Sequence, residues 1–343
     1  MTATQWVASL SPWPEEFGLD RMHALLEALG NPQRAFRAVH VVGTNGKSTA
    51  TRTIAALLRA DGLAVGAYTS PHVSGWHERL DTDAETFERA VARVRDAAES
   101  VHATQFETLT AAALAEFAER GVAAAVVEAG LGGRLDATNV LDAPVVLLTN
   151  VGLEHTDVLG DTREQIAREK LAVVRPGATA VLPDDEWRPL VPEARVIVGG
   201  AHDAAEVFAG HAIAADPHVM LAGRLERRGP DEVRDGAHTP EAIDWLLARI
   251  ESRDWAIVAS ILRDKDADAM LWRLASAGRT LVATRSGNPR ALGERELARL
   301  AEPHFEHVEA VAEPVNALAR ARTFGPVLVT GSLYLLADLH EER

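Results

Sequence analysis

The sequence predicts an α/β protein built on a mostly parallel sheet with helices on both faces, followed by a smaller α/β domain. Three observations carry this expectation. Short apolar runs alternate with longer amphipathic segments along most of the chain, the pattern of parallel strands joined by crossover helices. One run, 39–42, breaks into a glycine-flanked polar turn and resumes as a helical segment. The length of 343 residues exceeds one typical core and suggests about two domains.

Taken in order, residues 19–29 set Leu19, Met22, Leu25, Leu26 and Leu29 on one helical face, and Gly30 and Pro32 stop the helix. Residues 39–42 read as a buried strand, and 49–60 as a helix closed by Asp61-Gly62. A short strand over 63–68 runs into Thr69-Ser70-Pro71-His72, and amphipathic helices follow over 84–100 and 108–119. Residues 122–127 form a strand that ends on Glu128, and 144–149 another that leads to Gly152-Leu153-Glu154-His155-Thr156. A helix over 163–174 carries Lys170, and 178–182 is a further strand. Between 183 and 222, Pro, Asp, Gly and His break any period, as in a connector. The second domain then reads as the turn Asp235-Gly236-Ala237-His238, helix 240–251, strand 255–261, helix 266–277, strand 280–284, helix 293–301 and strand 326–330. The domains are therefore expected at 1–222, including the connector, and at 223–343.

Composition removes several function classes. A formal net charge of −15 argues against a nucleic-acid partner, whose phosphates call for clustered Lys and Arg. There is no cysteine, so disulfides, thiolate catalysis and Cys-ligated zinc are excluded. The first 19 residues hold tryptophans, prolines and acids where a secretion signal needs a basic start and an apolar run. No stretch nears the roughly 18 uninterrupted apolar residues of a membrane span. The expectation is a cytoplasmic chain with no membrane partner.

Chemistry concentrates in Gly43-Thr44-Asn45-Gly46-Lys47-Ser48-Thr49. Glycines let the backbone approach an anion, successive N–H groups and a helix start cradle phosphate, and Lys47 neutralises charge. Ser48 or Thr49 can offer a hydroxyl to Mg²⁺. A strict P-loop would need glycine where Val41 stands, so this is a shorter relative of it, read as a nucleoside triphosphate site. In parallel sheets ligands bind beyond the carboxyl ends of strands, and four such ends carry Lys47-Ser48, Ser70 to His72, Glu128 to Asp136, and His155. Glu128 and His155 pair a carboxylate with an imidazole beside phosphate, although Mg²⁺ prefers oxygen. Gly130-Leu131-Gly132-Gly133 lacks the spacing of a dinucleotide fingerprint. Lys170, on an amphipathic helix, reads from its residue type as a solvated charge.

Together these residues resemble the bifunctional dihydrofolate synthase/folylpolyglutamate synthase family of the Mur ligase superfamily. The matching stretches include Gly18 to Met22, His40 to Lys47, Tyr68 to His72, Phe106-Glu107, Glu128 to Asn139, Gly152 to Thr156, Glu169-Lys170, Gly223 to Glu226, Asp235 to His238, Asn288 to Leu292 and Thr330 to Tyr334. The resemblance implies a Mur-ligase-like P-loop ATPase domain and a smaller Rossmann-like C-terminal domain. It implies a ligase that uses ATP and Mg²⁺, with K⁺ as a further ion, to join L-glutamate to dihydropteroate or a reduced folate through an acyl phosphate. It also implies a monomer. Residue by residue, it places ATP phosphates on Gly43, Thr44, Asn45, Gly46, Lys47, Ser48 and Thr49, and further nucleotide contacts on Arg224, Asp235 and His238. It gives Ser48, Ser70, Glu128, His155 and a carbamylated Lys170 to the metal, catalytic roles to Lys47, His155 and Lys170, and substrate contacts to Ser70, Pro71, Phe106 and Asp136.

Three departures from the family pattern stand out. The loop reads Gly46-Lys47-Ser48-Thr49 where Gly-Lys-Gly-Ser is usual, and Thr239 follows His238 in place of asparagine. The segment 183–222 is short and lacks a helix whose asparagine holds adenine in the family. They point to a trimmed ligase, and leave two alternatives: a non-catalytic folate- or nucleotide-binding paralogue, or a Mur-type ligase for another carboxylate.

Overall fold

Apolar β-branched and alanine-rich runs with both faces covered make the strands, and capped amphipathic segments make the helices between them. The computed structural model describes residues 1–217 and 219–340. It divides into two units, Met1–Ser70 with Trp76–Val219, and Pro71–Gly75 with Met220–Arg343.

The first unit runs α1 (Ala3–Ser9), α2 (Asp20–Ala28), β1 (Arg37–Val42), α3 (Lys47–Ala60), β2 (Val65–Tyr68), α4 (Ala84–Ser100), α5 (Gln105–Glu119), β3 (Ala124–Glu128), β4 (Val145–Leu148), α6 (Thr156–Leu159), α7 (Arg163–Leu171), β5 (Thr179–Leu182), β6 (Arg195–Val198) and α8 (Ala201–Ala209). Its strands form a six-stranded sheet in the order β2-β3-β1-β4-β5-β6, and every pairing is parallel. β1 lies centrally, with Val41 opposite Glu128 on β3 and Val42 opposite Leu148 on β4. That register brings Gly43, Glu128 and Thr149 to the same edge.

Because side chains alternate along a strand, β1 serves two cores. Ala38 and Val42 join Tyr68, Phe87 and Phe117 on one face, while Val39 and Val41 join Ile54, Leu58 and Phe208 on the other. Side-chain caps start several of the helices. Asp83 caps α4, Thr104 and Glu107 form a reciprocal box on α5, and Thr162 and Gln165 do so on α7.

The second unit runs β7 (Glu226–Arg227), β8 (Glu232–Arg234), α9 (Pro240–Leu247), β9 (Ala256–Ala259), α10 (Ala267–Leu274), β10 (Thr280–Ala283), α11 (Glu294–Ala301), β11 (His307–Ala310), α12 (Pro314–Ala321), β12 (Val327–Thr330) and α13 (Leu333–Asp338). Its sheet order is β11-β10-β9-β12-β8-β7, parallel except for the β7–β8 ribbon. Among the described residues no helix is long and apolar enough to cross a membrane.

The segment 183–222 differs from a plain connector. It supplies β6, which extends the first sheet beside β5, and α8, whose Ala204, Ala205 and Phe208 enter the core under α3. β6 is an edge strand that stays half-exposed, so it carries no buried-strand signature.

Candidate active site

The loop after β1 is shaped by its glycines. Gly43 has φ +146, and a Cβ there would lie 1.9 Å from the Thr149 hydroxyl. Gly46, with φ +80, opens α3 without a side-chain cap, leaving the first N–H groups of that helix to an incoming anion. Residues after β4 brace the loop. Thr149 donates its hydroxyl to Asn45 O at 2.7 Å, Asn150 Oδ1 accepts from Asn45 N–H at 2.9 Å, and Gly152 N–H donates to the Thr44 hydroxyl at 3.0 Å. Lys47 folds back, donating Nζ to the carbonyls of Gly43 at 2.9 Å and Thr44 at 3.1 Å.

Beside the loop, Glu128 at the end of β3 is buried. The Ser48 hydroxyl donates to its Oε1 at 3.0 Å, and the Ser70 backbone N–H donates to its Oε2 at 3.0 Å. Three predicted residues thus meet on one carboxylate. His155 caps the short α6 in a left-handed conformation, φ 44, and Thr49 stays exposed on the first turn of α3.

Lys170 corrects the reading from residue type. It is not solvated: its side chain is 1 % exposed. Nζ donates to Gly43 O at 3.0 Å and to Glu154 Oε1 at 2.5 Å. α7 is anchored by Ile166, Ala167 and Leu171 in the core, which carries Lys170 inward with them. Burial lowers the Lys170 pKa against the pull of Glu154. Burial alone would raise that of Glu154, but Lys47 and Lys170 bring it down to about 2. Glu154 is the residue the sequence reading passed over. Its only signal was its position next to His155 at a strand end.

A divalent cation fits this donor set in part. Among the described residues no group of three His, Cys, Asp or Glu side chains could hold a metal. The buried Glu128 carboxylate with the Ser48 hydroxyl is an oxygen pair suited to a hard cation that takes its remaining ligands from phosphate and water. A carbamate on Lys170 fits less well. It would leave Nζ one hydrogen for two acceptors and set an anion against Glu154, so the arrangement described is that of the unmodified lysine.

A cavity of about 210 Å³ opens in the same unit, lined by Trp13, Phe17, Phe106, Leu135, Asp136 and Glu169 among others. It gathers two of the predicted substrate residues, Phe106 and Asp136. Gly130 lets Phe106 close in, since a Cβ there would lie 2.5 Å from its ring. Asp136 is buried and accepts from Leu131 N–H at 2.8 Å, Thr138 N–H at 3.0 Å and the Thr138 hydroxyl at 2.5 Å. Burial still raises its pKa over these donors. Trp13 and Phe17 gave no sequence signal, because an aromatic in an irregular segment has no period to betray its direction.

In the second unit, Asp235 accepts from Leu225 N–H at 2.7 Å and Ala237 N–H at 2.8 Å, and Gly223 O accepts from Gly236 N–H at 2.9 Å. Arg224 donates to the neighbouring Gly223 carbonyl at 3.2 Å. His238 Nδ1 donates to Gly236 O at 2.8 Å, which fixes the ring. Thr239 caps α9, accepting from Ala242 N–H, a role that suits threonine at the departing position. Pro71 belongs with this unit, whereas Ser70, Phe106 and Asp136 belong with the first.

Comparison with known proteins follows the same division. The Mur ligase middle domain matches residues 41–219, and the Mur ligase glutamate ligase domain matches 223–333. The folylpolyglutamate synthase of Lacticaseibacillus casei is 32% identical, over 94% of this chain and 93% of its own length. That alignment spans 404 positions, more than the 343 residues here, so the relative carries segments this chain lacks. The structure of E. coli FolC in complex with DHPP and ADP superposes with a TM-score of 0.86 at 26% identity, covering 99% of this chain and 97% of that one. The Yersinia pestis bifunctional folylpolyglutamate synthase/dihydrofolate synthase complexed with AMPPNP and Mn ion gives 0.84 at 26% identity, covering 99% and 98%.

Proposed function

We infer the activity from kinship: the chain belongs to the Mur ligase family, in its folylpolyglutamate synthase/dihydrofolate synthase branch, and is an ATP-dependent amide-forming ligase. It joins L-glutamate to dihydropteroate or a reduced folate, with ATP and a divalent cation. We further propose that it works as a cytoplasmic monomer.

One observation supports the residue assignment most directly. Consecutive residues of α7 serve both halves of the reaction: Glu169 lines the aromatic cavity, and Lys170 reaches the phosphate loop at Gly43. A pterin in that cavity, with Phe106 at its ring and Asp136 on its N–H groups, sends its carboxylate tail toward the loop. That carboxylate attacks the γ-phosphorus of ATP and forms an acyl phosphate as ADP leaves. The glutamate amine then adds to the acyl carbon, and phosphate departs with the amide bond made and one proton released.

Phosphoryl transfer needs positioning and charge neutralisation more than covalent help. Lys47 rests on two carbonyls, weaker partners than phosphate oxygens, and moves from them to the phosphates of ATP. Lys170 adds a fixed positive charge beneath Gly43, and Glu154 keeps the lysine pair from repelling each other when phosphate is absent. Ser48 and Glu128 would hold the divalent cation, which would neutralise phosphate charge. Ser70 orients Glu128, and His155 is assigned to the same metal cluster. In the second unit, Arg224 and His238 are assigned to the nucleotide, and Asp235 holds the turn that presents them.

The test is phosphate release by the purified protein with ATP, Mg²⁺, L-glutamate and either 7,8-dihydropteroate or a reduced folate. Release should require both acceptor and glutamate, and the productive acceptor identifies the substrate. Release with neither present would reject the assignment.

A further inference from the structure

Behind Asp136 lies a polar chain that the reaction scheme has not used. His40 sits on β1, fully buried in a strand whose other buried residues are all apolar. Its Nε2 is 2.8 Å from the Thr138 hydroxyl, and that hydroxyl is 2.5 Å from Asp136 Oδ1. Its other ring nitrogen, Nδ1, is buried and has no hydrogen-bond partner among the described residues.

These contacts fix the direction of the chain. Asp136 collects three donors and serves as the acceptor, so the Thr138 hydroxyl hydrogen points to Oδ1. The Thr138 oxygen is then an acceptor itself, and His40 must donate from Nε2–H. The orphaned Nδ1 is consequently a bare lone pair, the less costly kind of buried orphan. Burial first, then Arg175, brings the His40 pKa down to about 3, so the ring is neutral at ordinary pH and keeps this tautomer.

We propose that His40 and Thr138 are positioning residues that hold the Asp136 carboxylate in the one orientation able to receive an N–H donor of a 2-amino-4-oxopyrimidine ring. This rests on the reading of the cavity as the pterin site. Neither residue touches the ligand. Oδ1 is held from behind by both Thr138 donors and Oδ2 by the Leu131 N–H, which leaves at most one acceptor site, on Oδ2, for a ligand. A carboxylate gripped on both oxygens cannot rotate to follow a ligand, so it selects for a donor at one fixed place. A donor chain running into an anion also strengthens each bond along it.

The experiment compares Thr138→Val, Thr138→Ser, His40→Leu and His40→Gln in the full chain, measuring KM for the pterin substrate and for ATP, kcat, and direct pterin binding by fluorescence. Thr138→Val should raise the pterin KM about 10-fold by removing a hydrogen bond to a charged group, with the ATP KM unchanged, and Thr138→Ser should restore it. His40→Leu should raise the pterin KM about threefold, and His40→Gln, which keeps an N–H donor, should recover most of that. Equal losses for pterin and ATP, or no rescue by the conservative variants, would make the chain merely structural and overturn the proposal. If the wild type binds pterin and Thr138→Val binds it equally well, the proposal fails while the cavity assignment stands. If the wild type binds no pterin, both fail. Should the variants not fold, ¹⁵N NMR of the wild-type imidazole decides. The Nε2–H tautomer from pH 5 to 9 supports the chain, and an Nδ1–H tautomer overturns it, since His40 could not then donate to Thr138.

Discussion

The phosphate loop and the aromatic cavity share one unit and one helix, yet hold their polar groups in opposite ways. At the loop, two lysines converge on the same carbonyl of Gly43, partners that a phosphate can replace. In the cavity, Asp136 is fixed by three short donors and a buried histidine behind them. On the proposed function, the loop answers a charge that changes during the reaction, and the cavity a ligand that keeps its shape. Mutations in the two regions should therefore fail differently.

The largest effect is expected at the loop. Lys47→Ala should lower kcat/KM roughly 10³-fold, the scale for losing a group aimed at developing charge, while pterin binding measured by fluorescence stays intact. A parallel loss of pterin binding would erase the distinction between the regions.

Next comes Glu154→Gln, which leaves Lys170 buried without its counter-charge and should cost about 3 kcal/mol of unfolding free energy in a denaturant titration. The pH dependence has a definite sign. The Glu154 pKa falls from 4.5 to about 2 in the folded state, so its stabilisation is complete above 4.5 and is lost as pH drops toward 2, about 3 kcal/mol in all. The stability of Glu154→Gln should accordingly fall less steeply than that of the wild type across that window. Identical slopes would mean that Glu154 is not held ionised by the lysine pair.

A cavity mutation should show the other signature. Asp136→Asn should raise the pterin KM roughly 10- to 30-fold by replacing a charged acceptor, with the ATP KM unchanged. The smallest effect is expected outside both regions. Thr239→Ala should cost about 1 kcal/mol by uncapping α9, read as a shift in melting temperature, with little change in the pterin KM.

The two regions also differed in how far the sequence disclosed them. The loop was legible because its chemistry is local: an apolar strand, two glycines, a lysine and a helix start lie within a dozen residues, and the glycine geometry is a backbone requirement. Glu128 was legible as the polar end of a buried run. Lys170 was named only through the family resemblance, because its burial depends on Ile166 and Leu171 drawing α7 into the core, and residue type alone pointed to solvent. Glu154 was hidden by its histidine neighbour, and its role depends on Lys170, 16 residues on, and on Lys47 from another loop.

The cavity was harder still. Phe106 and Asp136 came from matched segments, whereas Trp13 and Phe17 reach it from an irregular stretch with no period. His40 reads as one more position in a strand until Thr138, 98 residues later, is seen beside it. The fold shows the same rule. Central strands announced themselves by unbroken burial, but β6 and β11 are half-exposed at sheet edges, and neither they nor α12 were foreseen. The helix α1 was missed although its Thr2–Gln5 box is written in the sequence.

The fate of one oxygen atom tests the acyl phosphate most directly. A pterin substrate carrying ¹⁸O in its reacting carboxylate should, on turnover with ATP and L-glutamate, deliver one ¹⁸O to each inorganic phosphate released, as an acyl phosphate requires. Phosphate released without label would contradict that intermediate, and with it the roles given to Lys47, Lys170 and the loop they share.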